Sequence, residues 1–200
     1  MIKHSTFARF FALSTSVIAA GALAIVVPTT VHADTQTHAT VSFSMPKDAT
    51  VSIKAMPDID FGSEQIATTA TDIAAKTVSA PVEVSNPGFQ NGWTLTVAAS
   101  DFANTENTRT IKGAELTFAH TAVAATDDTN ISKAPTTSES GTVIEAGSDA
   151  ALLISAAKGA GIGTYQANYA PNAVSLHVPA GNVSSDYQAD LDWTMTNSAE

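Results

Sequence analysis

Apolar and polar residues alternate along much of this chain. In Trp93-Thr94-Leu95-Thr96-Val97 the period is two, which sends Trp93, Leu95 and Val97 to one face of a strand and the threonines to the other. The pattern returns in Trp193-Thr194-Met195-Thr196-Asn197. There Tyr187, Ala189, Leu191, Trp193 and Met195 share one parity, and Gln188, Asp190, Asp192, Thr194 and Thr196 share the other. These are the only 2 tryptophans in 200 residues. The two runs are therefore read as matched parts of one design, on equivalent strands of two sheets.

The same period marks further elements. Val41, Phe43 and Met45 alternate, Pro46-Lys47-Asp48 makes a turn, and Val51, Ile53 and Ala55 alternate again, which predicts a hairpin. Ile59 and Phe61 form a short extended piece ended by Gly62. Strands are expected at Val82–Val84, Ala114–Phe118, Leu152–Ala156, Tyr165–Tyr169 and Val174–Val178. Residues 68–77 have a helical spacing that their threonines oppose, and 126–141 read as a long surface loop. Gly159-Ala160-Gly161-Ile162-Gly163 reads as a tight corner with positive backbone angles. The sum is an all-β fold, a Greek-key-like β-sandwich of about ten strands.

The first 33 residues read as an address. Lys3, His4 and Arg9 precede an apolar stretch from Phe10 to Val27, and Val31-His32-Ala33 supplies a small-residue cleavage site. A secretory signal peptide over 1–33 is the expectation, a retained membrane anchor its rival. Removal leaves one domain, 34–200, with no insertion in the membrane. Of 9 basic residues Lys3 and Arg9 go with the leader, leaving 7 against 19 acidic ones, a formal charge of −12. Nucleic acid and anionic polymers such as teichoic acid are poor partners for that field. The chain has no cysteine, hence neither disulfides nor a lipid-modified cysteine, and no Leu-Pro-x-Thr-Gly sorting signal. Attachment to a cell is expected to be non-covalent.

Catalytic chemistry finds little support. His38, His120 and His177 are isolated, without metal-ligand spacing, and His177 is expected to face solvent from its strand. Asp58 with Asp60, and Asp190 with Asp192, share strand faces, and Asp127 adjoins Asp128. Paired carboxylates suit glycoside hydrolysis, yet the same spacing arises on any solvated strand face. The glycine corner lacks the lysine and following helix of a phosphate loop. The chain is read as no enzyme, with no cofactor and no metal.

Several segments in order resemble the WxL domain, a surface module of low-GC Gram-positive bacteria. They are Pro57-Asp58-Ile59-Asp60-Phe61-Gly62, Gly92 to Val97 with Asp101-Phe102, and Lys112-Gly113-Ala114-Glu115-Leu116. Ser155 to Gly161, Val174 to Pro179 and Tyr187 to Met195 complete the set. Met195 stands where leucine is usual, no proline follows the second motif, and Asn86-Pro87-Gly88 replaces an aspartate and an Arg-Gly pair. The resemblance implies a small, single-domain cell-surface protein that binds peptidoglycan and assembles a surface complex, in support of adhesion. Its implied companions are larger WxL proteins and a membrane-anchored WxL-interacting protein. The implied wall-binding motif is Trp93, Thr94, Leu95, Trp193, Thr194 and Met195.

Both tryptophans share a strand face with apolar neighbours, which places them in the core, with ligand contact left to adjacent loops or the threonine faces. The alternative is exposed rings that stack on sugars. Two other functions stay open: a pilin-like or matrix subunit that assembles by strand pairing, and a secreted glycosidase using the aspartate pairs.

Overall fold

The structure, a computed structural model, describes residues 37–197. The expected leader lies outside them. The chain divides into two units, Met1–Ser42 and Phe43–Glu200. The described part of the first forms neither helix nor strand, and the second holds every described strand.

The fold is all-β, as expected, with sixteen strands among the described residues. They are β1 (Ser52–Ala55), β2 (Ile59–Asp60), β3 (Thr71–Ala74), β4 (Thr77–Val78), β5 (Val82–Asn86), β6 (Trp93–Ala99), β7 (Ala103–Asn104) and β8 (Glu115–Phe118). Then follow β9 (Val123–Ala125), β10 (Thr136–Thr137), β11 (Thr142–Glu145), β12 (Ala151–Ala156), β13 (Gly163–Ala167), β14 (Val174–Val178), β15 (Tyr187–Gln188) and β16 (Leu191–Asn197). Five of these have two residues and carry no periodic signal, which is why the sequence pattern reveals only about ten.

Three four-stranded antiparallel sheets form, in the orders β1-β5-β13-β9, β10-β12-β6-β16 and β11-β8-β14-β3. Their inner faces meet in one apolar cluster: Trp93, Leu95 and Val97 from the second sheet, Val82, Val84 and Tyr165 from the first, Leu116, Phe118 and Ile144 from the third. Sheet packed on sheet in this way is the sandwich principle, with three sheets sharing the core.

Among the described residues no ladder joins strands consecutive in the chain. That corrects the hairpin expected at 41–55. The turn is present, with the Ala49 N–H donating to Pro46 O at 3.1 Å. However, β1 pairs with β5 rather than with Val41–Met45, which remains unpaired. β5 offers inward Val82 and Val84, so non-local burial overrides the local turn.

Three smaller corrections follow. A bulge in β12 separates Leu152, opposite Thr96, from Ile154, opposite Leu95. Leu152 consequently faces out, while Leu153 and Ile154 are both buried. Residues 126–141 are mostly surface loop, as expected, but β10 within them pairs with β12, and Tyr165 Oη donates to Ser132 O at 2.7 Å. The 187–195 run splits, β15 pairing with β7 and β16 with β6, although its in–out alternation persists throughout. Residues 68–77 contribute β3 and the start of β4, as their threonines favour.

Candidate functional site

The two tryptophan runs are neighbours in one sheet, which corrects their expected placement on two. β6 and β16 are antiparallel, with Trp93 opposite Asn197, Thr94 opposite Thr196, Leu95 opposite Met195, Thr96 opposite Thr194 and Val97 opposite Trp193. The pairing has a local two-fold character centred on Leu95 and Met195. Repeated Trp-Thr-apolar-Thr runs are therefore what two antiparallel strands need to present the same residues to the same faces.

The inner face holds the fold. Trp93 is 1% exposed, and its Nε1 donates to Gly161 O at 3.1 Å, so the indole's one polar group is satisfied inside the core. The glycine corner exists to admit that ring. Gly161 has φ +67°, and a Cβ there would stand 2.8 Å from Trp93 Nε1. On the other side, Gly92 (φ +82°) would drive a Cβ to 2.5 Å from Ala156 O. Ahead of it, buried Asn86 closes its own loop: Oδ1 accepts from the N–H groups of Gly88 and Phe89, and Nδ2 donates to Phe89 O. No charge is required there, which accounts physically for Asn86-Pro87-Gly88.

Trp193 differs. It is half-buried, with its ring edge-on to Phe118 at 6.1 Å between centroids. The core expectation holds fully for Trp93 and only in part for Trp193, because β16 is the last strand of its sheet.

The outer face is rich in hydroxyls, with the exposed Leu152 and Asp192 beside them on the same face. Thr136 lies opposite Ser155, Ser155 opposite Thr94, and Thr94 opposite Thr196, a row that crosses all four strands. Beside it Thr96 and Thr194 face each other, with Thr96 Oγ1 donating to Thr194 O at 3.4 Å. Thr194, Thr196 and Thr136 are exposed, Thr94, Thr96 and Ser155 half-exposed. Rows of this kind repeat about every 7 Å along the strands and about 4.8 Å across them. Sequence reasoning missed this row because it requires the pairing partners of Thr94, and β10 carries almost no signal.

A groove of about 1170 Å³ runs beside the start of β16, next to Trp193. It gathers both expected aspartate pairs, Asp58 with Asp60 and Asp190 with Asp192, together with Glu64 and Asp186, and among the described residues no basic side chain lines it. One of the four carboxylates has a structural hydrogen bond, and Asp190 is anchored through its backbone. Asp60 Oδ1 accepts from the Gly62 N–H at 2.8 Å, and the Asp190 backbone bonds Ser100 through both its N–H and its carbonyl. Among the described residues no three His, Cys, Asp or Glu side chains converge on a metal position. Asp127 sits apart, its carboxyl held below the usual range by the Thr129 hydroxyl and then the Thr129 N–H.

His120 and His177 do not line this groove. His177 is half-exposed and its Nδ1 lies 2.7 Å from Asp72 Oδ1, its cross-strand partner. His120 Nδ1 lies 3.0 Å from Thr137 Oγ1, and His38 is exposed. No described helix is long and apolar enough to cross a membrane.

A family model described as WxL domain, surface cell wall-binding, matches residues 43–198. No curated protein and no solved structure matches the chain.

Proposed function

Because the chain belongs to the WxL-domain family of surface cell-wall-binding proteins, we propose that it grips peptidoglycan non-covalently through the hydroxyl face of the β10-β12-β6-β16 sheet. In this reading Thr94 and Thr194 touch the wall. Trp93 and Leu95 hold the strands that carry them, while Trp193 and Met195 support the sheet's edge.

The observation that carries the reading is the row Thr136–Ser155–Thr94–Thr196 across four strands. Hydroxyls both donate and accept, as the hydroxyl and acetamido groups of a glycan do. Each such bond is worth about 0.5–1.5 kcal/mol net, so a useful grip requires several in a row, which a flat sheet face supplies. The domain's charge of −12 without its leader opposes an anionic polymer and spares an uncharged one.

The mature protein of this account begins at Asp34 after export, stays on the surface of a Gram-positive cell, and joins a wall-attached complex. Its companions there are larger WxL proteins and a membrane-anchored WxL-interacting protein, with adhesion as the outcome. It has no catalytic role, and the acidic groove serves as a solvated cleft. The test is co-sedimentation of the mature chain with peptidoglycan stripped of teichoic acid, compared with unstripped wall. Stronger binding to the stripped wall is expected, and binding only to unstripped wall would refute it.

A further inference from the structure

One stretch of the chain has the binary pattern of a strand and no strand to pair with. In Thr40-Val41-Ser42-Phe43-Ser44-Met45 hydroxyl and apolar side chains alternate without a break. Yet the segment forms no strand, and Val41 is 77% and Phe43 92% exposed. Taking such side chains out of water is favourable. At its C-terminal end Met45 lies against Gly88, where a Cβ would stand 3.2 Å from the Met45 Sδ.

The complementary deficit lies on β16. The neighbouring β6 buries Trp93, Leu95, Val97 and Ala99 completely. The corresponding inward positions of β16, Leu191, Trp193 and Met195, are only half-buried. β16 ends its sheet, and among the described residues no strand pairs with its outer edge. An open edge beside a half-covered tryptophan is a template for one more strand.

We propose that mature copies associate head to tail, the segment Thr40–Met45 of one copy adding as a strand to the β16 edge of the next. The two-residue period fits in only one sense. Val41, Phe43 and Met45 then continue the side of Leu191, Trp193 and Met195, and Thr40, Ser42 and Ser44 continue the face of Thr194 and Thr196. A slip of one residue would turn the hydroxyls inward and the phenyl ring out. Donor and acceptor are different surfaces, so the contact is heterologous and propagates. Each junction would widen the hydroxyl face by one strand and align the faces of successive copies, so that weak contacts multiply by avidity. The association itself stands independently of the wall reading. Copies of charge −12 repel one another, so added salt should strengthen the contact.

The experiment is sedimentation velocity of the chain from Asp34 onward, over a wide concentration range, at low and high salt, with tryptophan emission followed in parallel. Trp93 is already dry, so a blue shift on association reports Trp193. The expected result is growth beyond the monomer with concentration, more at high salt, with a blue shift. The double variant Val41→Asp, Phe43→Asp should lose every species above the monomer and melt at the parent temperature, since both side chains are exposed in a single copy. A peptide spanning Ala39–Pro46 should shorten the parent polymer and blue-shift the double variant. The proposal is overturned by a parent that stays monomeric throughout, or by a double variant that associates as the parent does. An emission difference between parent and variant that is independent of concentration would also overturn it, because the segment would then be covering its own edge.

Discussion

Trp93 and Gly161 interlock: the indole Nε1 donates to the Gly161 carbonyl at 3.1 Å, and a methyl group at 161 would stand 2.8 Å from that same nitrogen. The motif residue and the glycine corner, 68 positions apart, are one structural unit. Trp93→Ala is expected to cost about 3–5 kcal/mol, and Gly161→Ala to be destabilising through both the clash and its positive φ. Trp193→Ala, half-buried at an edge, should cost clearly less than Trp93→Ala. Urea unfolding of the three variants checks the order, and equal losses at the two tryptophans would contradict it.

Tyr169 gives the fold a signature in alkali. Its hydroxyl is buried without a hydrogen-bond partner among the described residues, and burial pushes its pKa up to about 12 from 10.0. The unfolded chain therefore releases this proton first. Stability from Tyr169 is complete below pH 10 and declines as pH rises from there towards 12. Tyr169→Phe keeps the edge contact with Phe118, 5.0 Å between centroids, and removes the unpaired hydroxyl. We expect the variant to match or exceed the parent's stability at neutral pH, by about 1 kcal/mol. Its melting temperature should fall less steeply between pH 10 and 12. Melting curves across that window decide it.

The carboxylates of the groove should be dispensable for any chemistry. Asp190→Asn with Asp192→Asn is expected to leave wall-lytic activity at background and wall binding unchanged. Lytic activity in the parent that the double variant lacks would restore the glycosidase reading.

Much of this was legible in the sequence, and the failures share a cause. The alternation of Trp93 to Val97 and of Tyr187 to Thr196 appears in the structure residue for residue, because a half-buried strand imposes its period on composition. Positive backbone angles at Gly159, Gly161 and Gly163 were readable from glycine itself. Partnership was not readable. No described ladder joins consecutive strands, so the turn after Met45 marked the end of an alternating segment without making a hairpin. The hydroxyl row depends on Thr94 meeting both Ser155 and Thr196, 61 and 102 positions away, and no local pattern encodes that. The half-exposure of Trp193 follows from β16 being an edge, again a property of sheet order.

Thr94 and Thr196 oppose each other at the centre of the proposed wall contact. Replacing both with valine retains their β-branched shape and strand preference while deleting two hydroxyls. Unfolding should be within about 0.5 kcal/mol of the parent. Two lost hydrogen bonds correspond to about 2 kcal/mol, or about a thirtyfold weaker grip.

Sedimentation of that Thr94→Val, Thr196→Val variant with purified, teichoic-acid-free peptidoglycan, beside the parent and at low and high salt, tests the account most directly. The parent should pellet with the wall at high salt at least as well as at low salt, while the folded variant remains in the supernatant. A variant that pellets like the parent, or a parent that salt strips from the wall, would contradict hydroxyl contacts as the grip.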